Sequence, residues 1–564
     1  MKKLNLSKKI IIISVLVIFS LVFLACFKNN YADTIYINGN IYTVNSKYPK
    51  ATTLAIKGQT LQYVGNKRGI KKYIGRKTKI INLDGKTVIP GIVESHMHFP
   101  MLGENLLKLD LYWKSLPDII ASVENQVKNS SQGEWIQGFG WNNEIWEDKN
   151  YPTKEMLDPI SPDNPVVLER TDAHMVWANS KALEVAGITA ETEDPQGGEI
   201  IKDKDGNPTG CLKDNAMNLI TLPPYSKERK KEALLKAQDE LLSLGITSCG
   251  NAGSPMNDIA NMKELYQSDK LKIRIYCMVG GLWGEDPLEN AQEYYKTGPE
   301  IGLYDNRFTV NTVKVFADGS LGSRSAALLE DYSDQPGNKG LLMYSDEELY
   351  NIIKDIRKNG FQASVHAIGD ASIHQVLDVY ERVLKEAPLK DHRYRSEHFQ
   401  VSTLDDINRL AKLKVIPAMQ PTHATSDKNM AEDRIGSERM NGAYAWRKIL
   451  STGSIIAGGS DAPVELANPY HGLYAAVTRM DREGTPPGGW YPEECMTRTE
   501  ALKSFTIWSA YAQFEDKIKG SLRKGKLADF VVLDRDYFKC PDSEIKDIKA
   551  LMTILGGEKV YEMQ

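Results

Sequence analysis

Two of the chain's nine histidines stand as His96-Met97-His98 at the end of an apolar run that begins at Pro90. Read as a strand, the run alternates its side chains between faces, so His96 and His98 point the same way and can grip one ion together. Imidazole is a ligand for zinc and similar ions. Four later residues able to bind a metal also end strand-like runs: Lys314 in TVKVFADG, His366 in FQASVHAIGD, His398 in RYRSEHFQ and Asp461 in IIAGGSDAPV. Singly, each has a plain structural reading, as a solvated lysine, a satisfied core histidine, or a turn or helix cap. At the ends of successive strands they describe one cluster, provided that those strands stand side by side.

Parallel strands joined by helices meet that condition. Strand-like runs at Ile246–Ser248, Thr312–Phe316, Gln362–His366, Tyr394–His398, Val415–Gln420 and Ser454–Gly458 alternate with amphipathic helical stretches such as Lys227–Leu244 and Asp346–Asn359. That alternation predicts repeated βα units and a parallel sheet. Eight units over roughly 250 residues or more suit a closed (β/α)8 barrel, whose active site lies at the C-terminal ends of its strands. The section 101–225 exceeds a simple connection and predicts an inserted cap. Short β segments separated by Gly, Asn and Lys turns fill Asp33–Asp84 and return at Gly520–Asp534 and Ile548–Val560, so both chain ends are expected to build one small β domain. The expected fold is therefore α/β: a TIM barrel over 89–510 with its insertion, and a β-sandwich domain assembled from 33–88 and 515–564.

Composition narrows the partners. With 564 residues, 41% hydrophobic and 26% charged, and a formal net charge of −4, the chain is globular and has no broad basic field to attract nucleic acid. Its six cysteines form no CxxC pair or dense cluster, so a metal must be sought among His, Asp, Glu and Lys. Lys2, Lys3, Lys8 and Lys9 precede an apolar run, Ile10 to Phe27, broken only by Ser14 and Ser20, which reads as an export signal. Ala25-Cys26 resembles a bacterial lipoprotein cleavage site with Cys26 as the lipidated residue; the other outcome is an uncleaved membrane anchor. Either way the bulk of the chain is expected outside the cytoplasm and held at the membrane. A homodimer is compatible with the sequence.

Seven segments occur in one order: WIQGFGWNN (135–143), ERTDAHMVWANSKAL (169–183), GNPTGCLKDNA (206–216), VKVFADGSLGSRSAAL (313–328), MQPTHATSD (419–427), ERMNGAYAWR (438–447) and GGSDAPVELANP (458–469). In these the chain resembles the amidohydrolase superfamily, and more closely its family 3 branch of N-substituted formamide deformylase-like proteins. The resemblance implies that His96 and His98 bind the more buried metal, and that Lys314, N-carboxylated, bridges two ions. It further implies that His366 and His398 bind the second ion and that Asp461 binds metal and moves protons. Zinc is favoured, as one ion or two, although the same ligands accept other divalent ions. The implied reaction is hydrolysis of a small-molecule amide, N-formyl or N-acyl C–N bond by a metal-activated water, with Asp461 as general base and then general acid.

His174 and His398 are the candidate second donors to the developing oxyanion. Trp135, Trp141, Trp177 and Tyr444 are candidate apolar walls, and Arg324 a candidate partner for a substrate carboxylate. Two other functions compete. A heterocycle deaminase of the same superfamily generally carries a Glu shortly after the strand-five histidine and lacks the barrel lysine, whereas Ala367-Ile368-Gly369-Asp370 follows His366 and Lys314 is present. A non-catalytic binding lipoprotein predicts damaged ligands, and all six positions hold residues able to bind metal.

Overall fold

The computed structural model describes residues 31–112, 114–143, 146–170, 175–195, 198–280 and 287–564. Cys26 with its lysine-flanked apolar run, and His174, lie outside them. Among the described residues no helix is long and apolar enough to cross a membrane.

Eight strands run parallel in chain order: β1 (Ile92–Met97), β2 (Ile246–Ser254), β3 (Arg274–Val279), β4 (Phe308–Phe316), β5 (Gln362–Ala367), β6 (Arg395–His398), β7 (Ile416–Met419) and β8 (Ala457–Gly458). Each pairs with the next, and β2 pairs with β1. At the rim the ring is completed by backbone bonds from Asp461 N–H to the His96 carbonyl (2.9 Å) and from His98 N–H to the Ala462 carbonyl (2.8 Å). A strand covered on both faces has no solvent side to hold polar residues, so these strands are near-continuously buried instead of alternating. β3 is absent from the strand-like runs read in the sequence. The intervening helices follow their own local rules. Asp346–Lys358 starts with a Ser345/Glu348 capping box and buries Leu349, Tyr350, Ile353 and Ile356 on one face.

The chain ends build two further sheets. One has four strands in the order Thr60–Gly65, Thr53–Lys57, Thr34–Ile37 and Lys79–Asn82. The other has six, in the order Glu558–Glu562, Ala550–Leu555, Phe530–Leu533, Thr87–Pro90, Asn40–Tyr42 and Lys50–Ala51. Leu54, Ile56, Val88, Phe530, Val532 and Ile554 share a buried cluster that joins residues from both ends. A buried Arg274–Asp529 pair, 2.8 and 2.9 Å through two parallel bonds, ties β3 to this domain.

Two compact units are distinguished. The first holds the barrel and both chain ends, through His98, Asp239–Ile259 and Leu271–Gln564. The second comprises Phe99–Gln238 and Ala260–Lys270, and contains a six-stranded sheet in the order Gly198–Lys202, Pro208–Asp214, Met175–Ala178, Val166–Arg170, Ile136–Trp141, Leu109–Asp110.

Candidate metal centre

Six predicted positions occupy strand ends of the first unit. His96 is in β1 and His98 just past it; Lys314 is in β4, His366 in β5, His398 ends β6 and Asp461 follows β8. All six are buried. Asp461 Oδ1 lies 3.4 Å from His96 Nε2 and 3.1 Å from His98 Nε2. The His398 ring stands 4.8 Å from His96 and 4.5 Å from His366. His398 and Asp461 have φ of +71° and +61°, the left-handed region that non-glycine residues rarely enter, so both strands turn sharply where their side chains meet the cluster.

The donor atoms fit a cation. His96, His98 and Asp461 each offer a ligand atom within 4.8 Å of the others, and His398, His423 and Asp461 form a second such group. Tetrahedral zinc with bonds near 2.0–2.1 Å needs donors about 3.3 Å apart, so small adjustments suffice. Among the described residues, His96 Nε2 and Asp461 Oδ1 are buried without a hydrogen-bond partner, which is costly unless something else satisfies them.

Partners behind the cluster set which nitrogen faces it. His96 Nδ1–H donates to Glu397 Oε2 at 2.5 Å, which leaves the Nε2 lone pair forward. Glu397 also accepts from Ser364 Oγ (2.6 Å) and from the Arg395 guanidinium (2.6 and 2.9 Å). Burial pushes the Glu397 carboxyl up, but Arg395 and His96 outweigh it and hold the group well below the carboxylate range. His398 Nδ1–H donates to Gln420 Oε1 at 2.9 Å, again freeing Nε2. His366 Nε2–H donates to the Gly319 carbonyl at 3.2 Å, leaving Nδ1 with its lone pair.

The electrostatics suit ligands. Burial, then Lys314, lowers His366 to about 3. Burial and the neighbouring His366 and His96 lower His398 well below its ordinary value, so both rings are neutral at physiological pH. Burial raises the Asp461 carboxyl, but His96, His98 and His398 together hold it well below the carboxylate range. Burial lowers the Lys314 ammonium to about 8 against the pull of Glu397 and Asp461, and its Nζ stands 4.8 Å from the Phe316 ring centroid.

The other predicted residues within the described segments have partners of their own. Trp141 and Trp177, expected as pocket walls, are fully buried in the second unit's own core, with indole N–H groups bonded to the Leu168 and Thr153 carbonyls. Their large apolar rings help fill that core. Trp135 packs against another cluster of the same unit. Arg324 is partly exposed and spends its fork on Asp334, at 3.1 and 2.8 Å. Tyr444 is buried, and its hydroxyl donates to Asp427 Oδ2 at 2.6 Å.

Sequence reasoning passed over Glu397 and His423. Arg395 and Glu397, two apart in one strand and so on one face, are an ion pair legible by periodicity just before His398. His423 lies four residues beyond β7, where the same rim logic applies, and its Nε2 is 3.7 Å from Asp461 Oδ2.

The chain is similar over most of its length to several known proteins. The chain is 37% identical over 551 residues to "Protein LONG AFTER FAR-RED 3" of Arabidopsis thaliana, covering 94% of this chain and 92% of that protein. To "Putative amidohydrolase YtcJ" of Bacillus subtilis it is 33% identical, covering 94% and 99%. To "N-substituted formamide deformylase" of Arthrobacter pascens it is 26% identical, covering 94% and 98%. The crystal structure of an uncharacterized metal-dependent hydrolase from Pyrococcus furiosus superposes with a TM-score of 0.72 at 29% identity, over 90% of this chain and all of that one. Residues 79–561 match the model of the amidohydrolase family, and the chain belongs to that family of hydrolases.

Proposed function

We propose that the protein hydrolyses a non-peptide C–N bond of a small N-formyl or N-acyl amine at a divalent metal centre. The observation that carries this reading is the convergence of His96, His98 and Asp461, with buried His96 Nε2 and Asp461 Oδ1 left without hydrogen-bond partners among the described residues. Zinc suits the nitrogen-rich donor set, and His96, His98, His366, His398 and Asp461 would hold it, with Lys314 as a further ligand once carboxylated. A divalent ion there supplies a lowered water pKa and polarisation of the scissile carbonyl.

Asp461, ionised, accepts a proton as water oxygen bonds to the carbonyl carbon. It then returns that proton to nitrogen as the C–N bond breaks, yielding a carboxylic acid and an amine. Lys314, with a pKa near 8, has a neutral fraction able to add to carbon dioxide with loss of a proton, giving the carbamate. The name of the Arthrobacter relative points to N-substituted formamides as the first class to try. The lysine-flanked apolar leader supports an exported, membrane-held enzyme, by lipid on Cys26 or by an uncleaved helix.

The test uses protein purified without chelators. Metal content is measured, and amine release is followed over a panel of N-formyl and N-acyl amines before and after chelation. Release that stops on chelation and returns with zinc is the expected result; full activity after exhaustive metal removal sinks the reading.

A further inference from the structure

His398 and His423 both stand within reach of Asp461, so distance alone makes both candidate metal ligands. Their hydrogen-bond partners divide them. A side-chain amide can accept through oxygen or donate through nitrogen, and here each amide's orientation is set by a second partner. Gln420 donates its Nε2 to the Ala418 carbonyl (3.4 Å), which turns Oε1 toward His398 Nδ1. Gln400 donates its Nε2 to Asp427 Oδ2 (3.3 Å), the oxygen that also takes the Tyr444 hydroxyl proton. The same Gln400 nitrogen lies 3.2 Å from His423 Nδ1, which must therefore accept. A neutral imidazole accepting at Nδ1 carries its proton on Nε2. His423 Nε2–H then faces the cluster, buried and without a hydrogen-bond partner among the described residues, 3.7 Å from Asp461 Oδ2.

We propose that His423 is a hydrogen-bond donor to the substrate's carbonyl oxygen and not a metal ligand, and that Tyr444, Asp427 and Gln400 are positioning residues that hold its tautomer. The donor role rests on the amide-hydrolysis reading above. As water adds to the carbonyl carbon, the C=O π pair moves onto oxygen, and the Nε2–H bond to that oxygen shortens without proton transfer. A preorganised donor in a buried site acts on the developing charge and so lowers the barrier more than it tightens ground-state binding. Tyr444 and Gln400 are both buried, and the Tyr444 backbone N–H also donates to the Gln400 backbone carbonyl at 2.7 Å, so the two residues are joined through backbone as well as side chains.

The experiment compares zinc-loaded wild type with His423→Ala, His423→Asn and His423→Gln, on an N-alkylformamide. Expected are unchanged zinc content in all three variants, and kcat about 10²–10³-fold lower in His423→Ala and His423→Asn with KM within about threefold. His423→Gln, whose longer amide can place an N–H near the Nε2 position, retains at least about a tenth of wild-type kcat, the rescue expected of a donor of the same reach. In ¹⁵N-histidine-labelled protein, the ring absent from His423→Gln shows a protonated Nε2 and a bare Nδ1. Loss of zinc from His423→Ala, or a protonated Nδ1, overturns the assignment and makes His423 a ligand. If wild type cleaves no formamide or other amide, the functional reading fails by itself, while zinc content and tautomer still decide which role His423 can take.

Discussion

Glu397→Gln separates two jobs that one carboxylate performs. Glu397 is fully buried and takes four donors: His96 Nδ1–H, Ser364 Oγ–H and two guanidinium bonds from Arg395, itself fully buried. Neutralising it leaves the Arg395 cation buried without a countercharge, a change that costs about 3–5 kcal/mol of folding stability. It also weakens the acceptor that aims His96, and outer-shell losses of this kind reduce metal affinity about 10–100-fold, or about 1.4–2.7 kcal/mol. The double variant Arg395→Met/Glu397→Gln removes the stranded cation, so stability of the metal-free protein should recover by at least about 2 kcal/mol over the single variant. Zinc affinity should stay low, because His96 still lacks its carboxylate. Denaturant unfolding of metal-free protein reads the first quantity, and competition with a chromophoric chelator reads the second. Zinc binding as tight in Glu397→Gln as in wild type, or restored in the double variant, would refute the claim that this carboxylate orients a metal ligand.

Four further outcomes are expected. Arg324→Ala changes kcat/KM on the substrate panel by less than about threefold, because Asp334 already occupies the guanidinium. Trp177→Ala costs the second unit about 3–5 kcal/mol, read by limited proteolysis and thermal melting, since a fully buried ring and an indole bond to Thr153 are lost. Glu500 is held at about 2, chiefly by its bonds from Arg447 and against burial, so its contribution is present above about pH 4.5 and disappears as pH falls through about 2. Glu500→Gln should therefore cost about 1–2 kcal/mol at pH 7 in this half-buried site, and nothing measurable near pH 2, by urea unfolding across pH. Cys26→Ser abolishes incorporation of labelled fatty acid and releases the protein from membranes if Cys26 carries the anchor; retention without label points instead to the uncleaved helix.

How far the sequence reaches into this molecule follows from the range of each interaction. Strand ends bearing His96, His98, Lys314, His366, His398 and Asp461 were legible because two-residue alternation and βα spacing are properties of neighbouring residues, and because barrel topology brings strand ends to a common rim. Helix starts such as Ser345 with Glu348 are equally local. Hydrogen-bond partners are different. Glu397 lies 301 residues from His96, and Gln420 and Gln400 lie 22 and 23 residues from the rings they face. Only folding decides whether an imidazole meets an oxygen or a nitrogen at Nδ1, and with it whether its other nitrogen presents a lone pair or a proton. Packing likewise drew Trp141 and Trp177 into a core and Arg324 onto Asp334, since burial and charge pairing are satisfied by whichever neighbour the tertiary structure supplies. Periodicity thus placed the residues at the ends of neighbouring strands, and the long-range contacts behind them decided what each atom there can do.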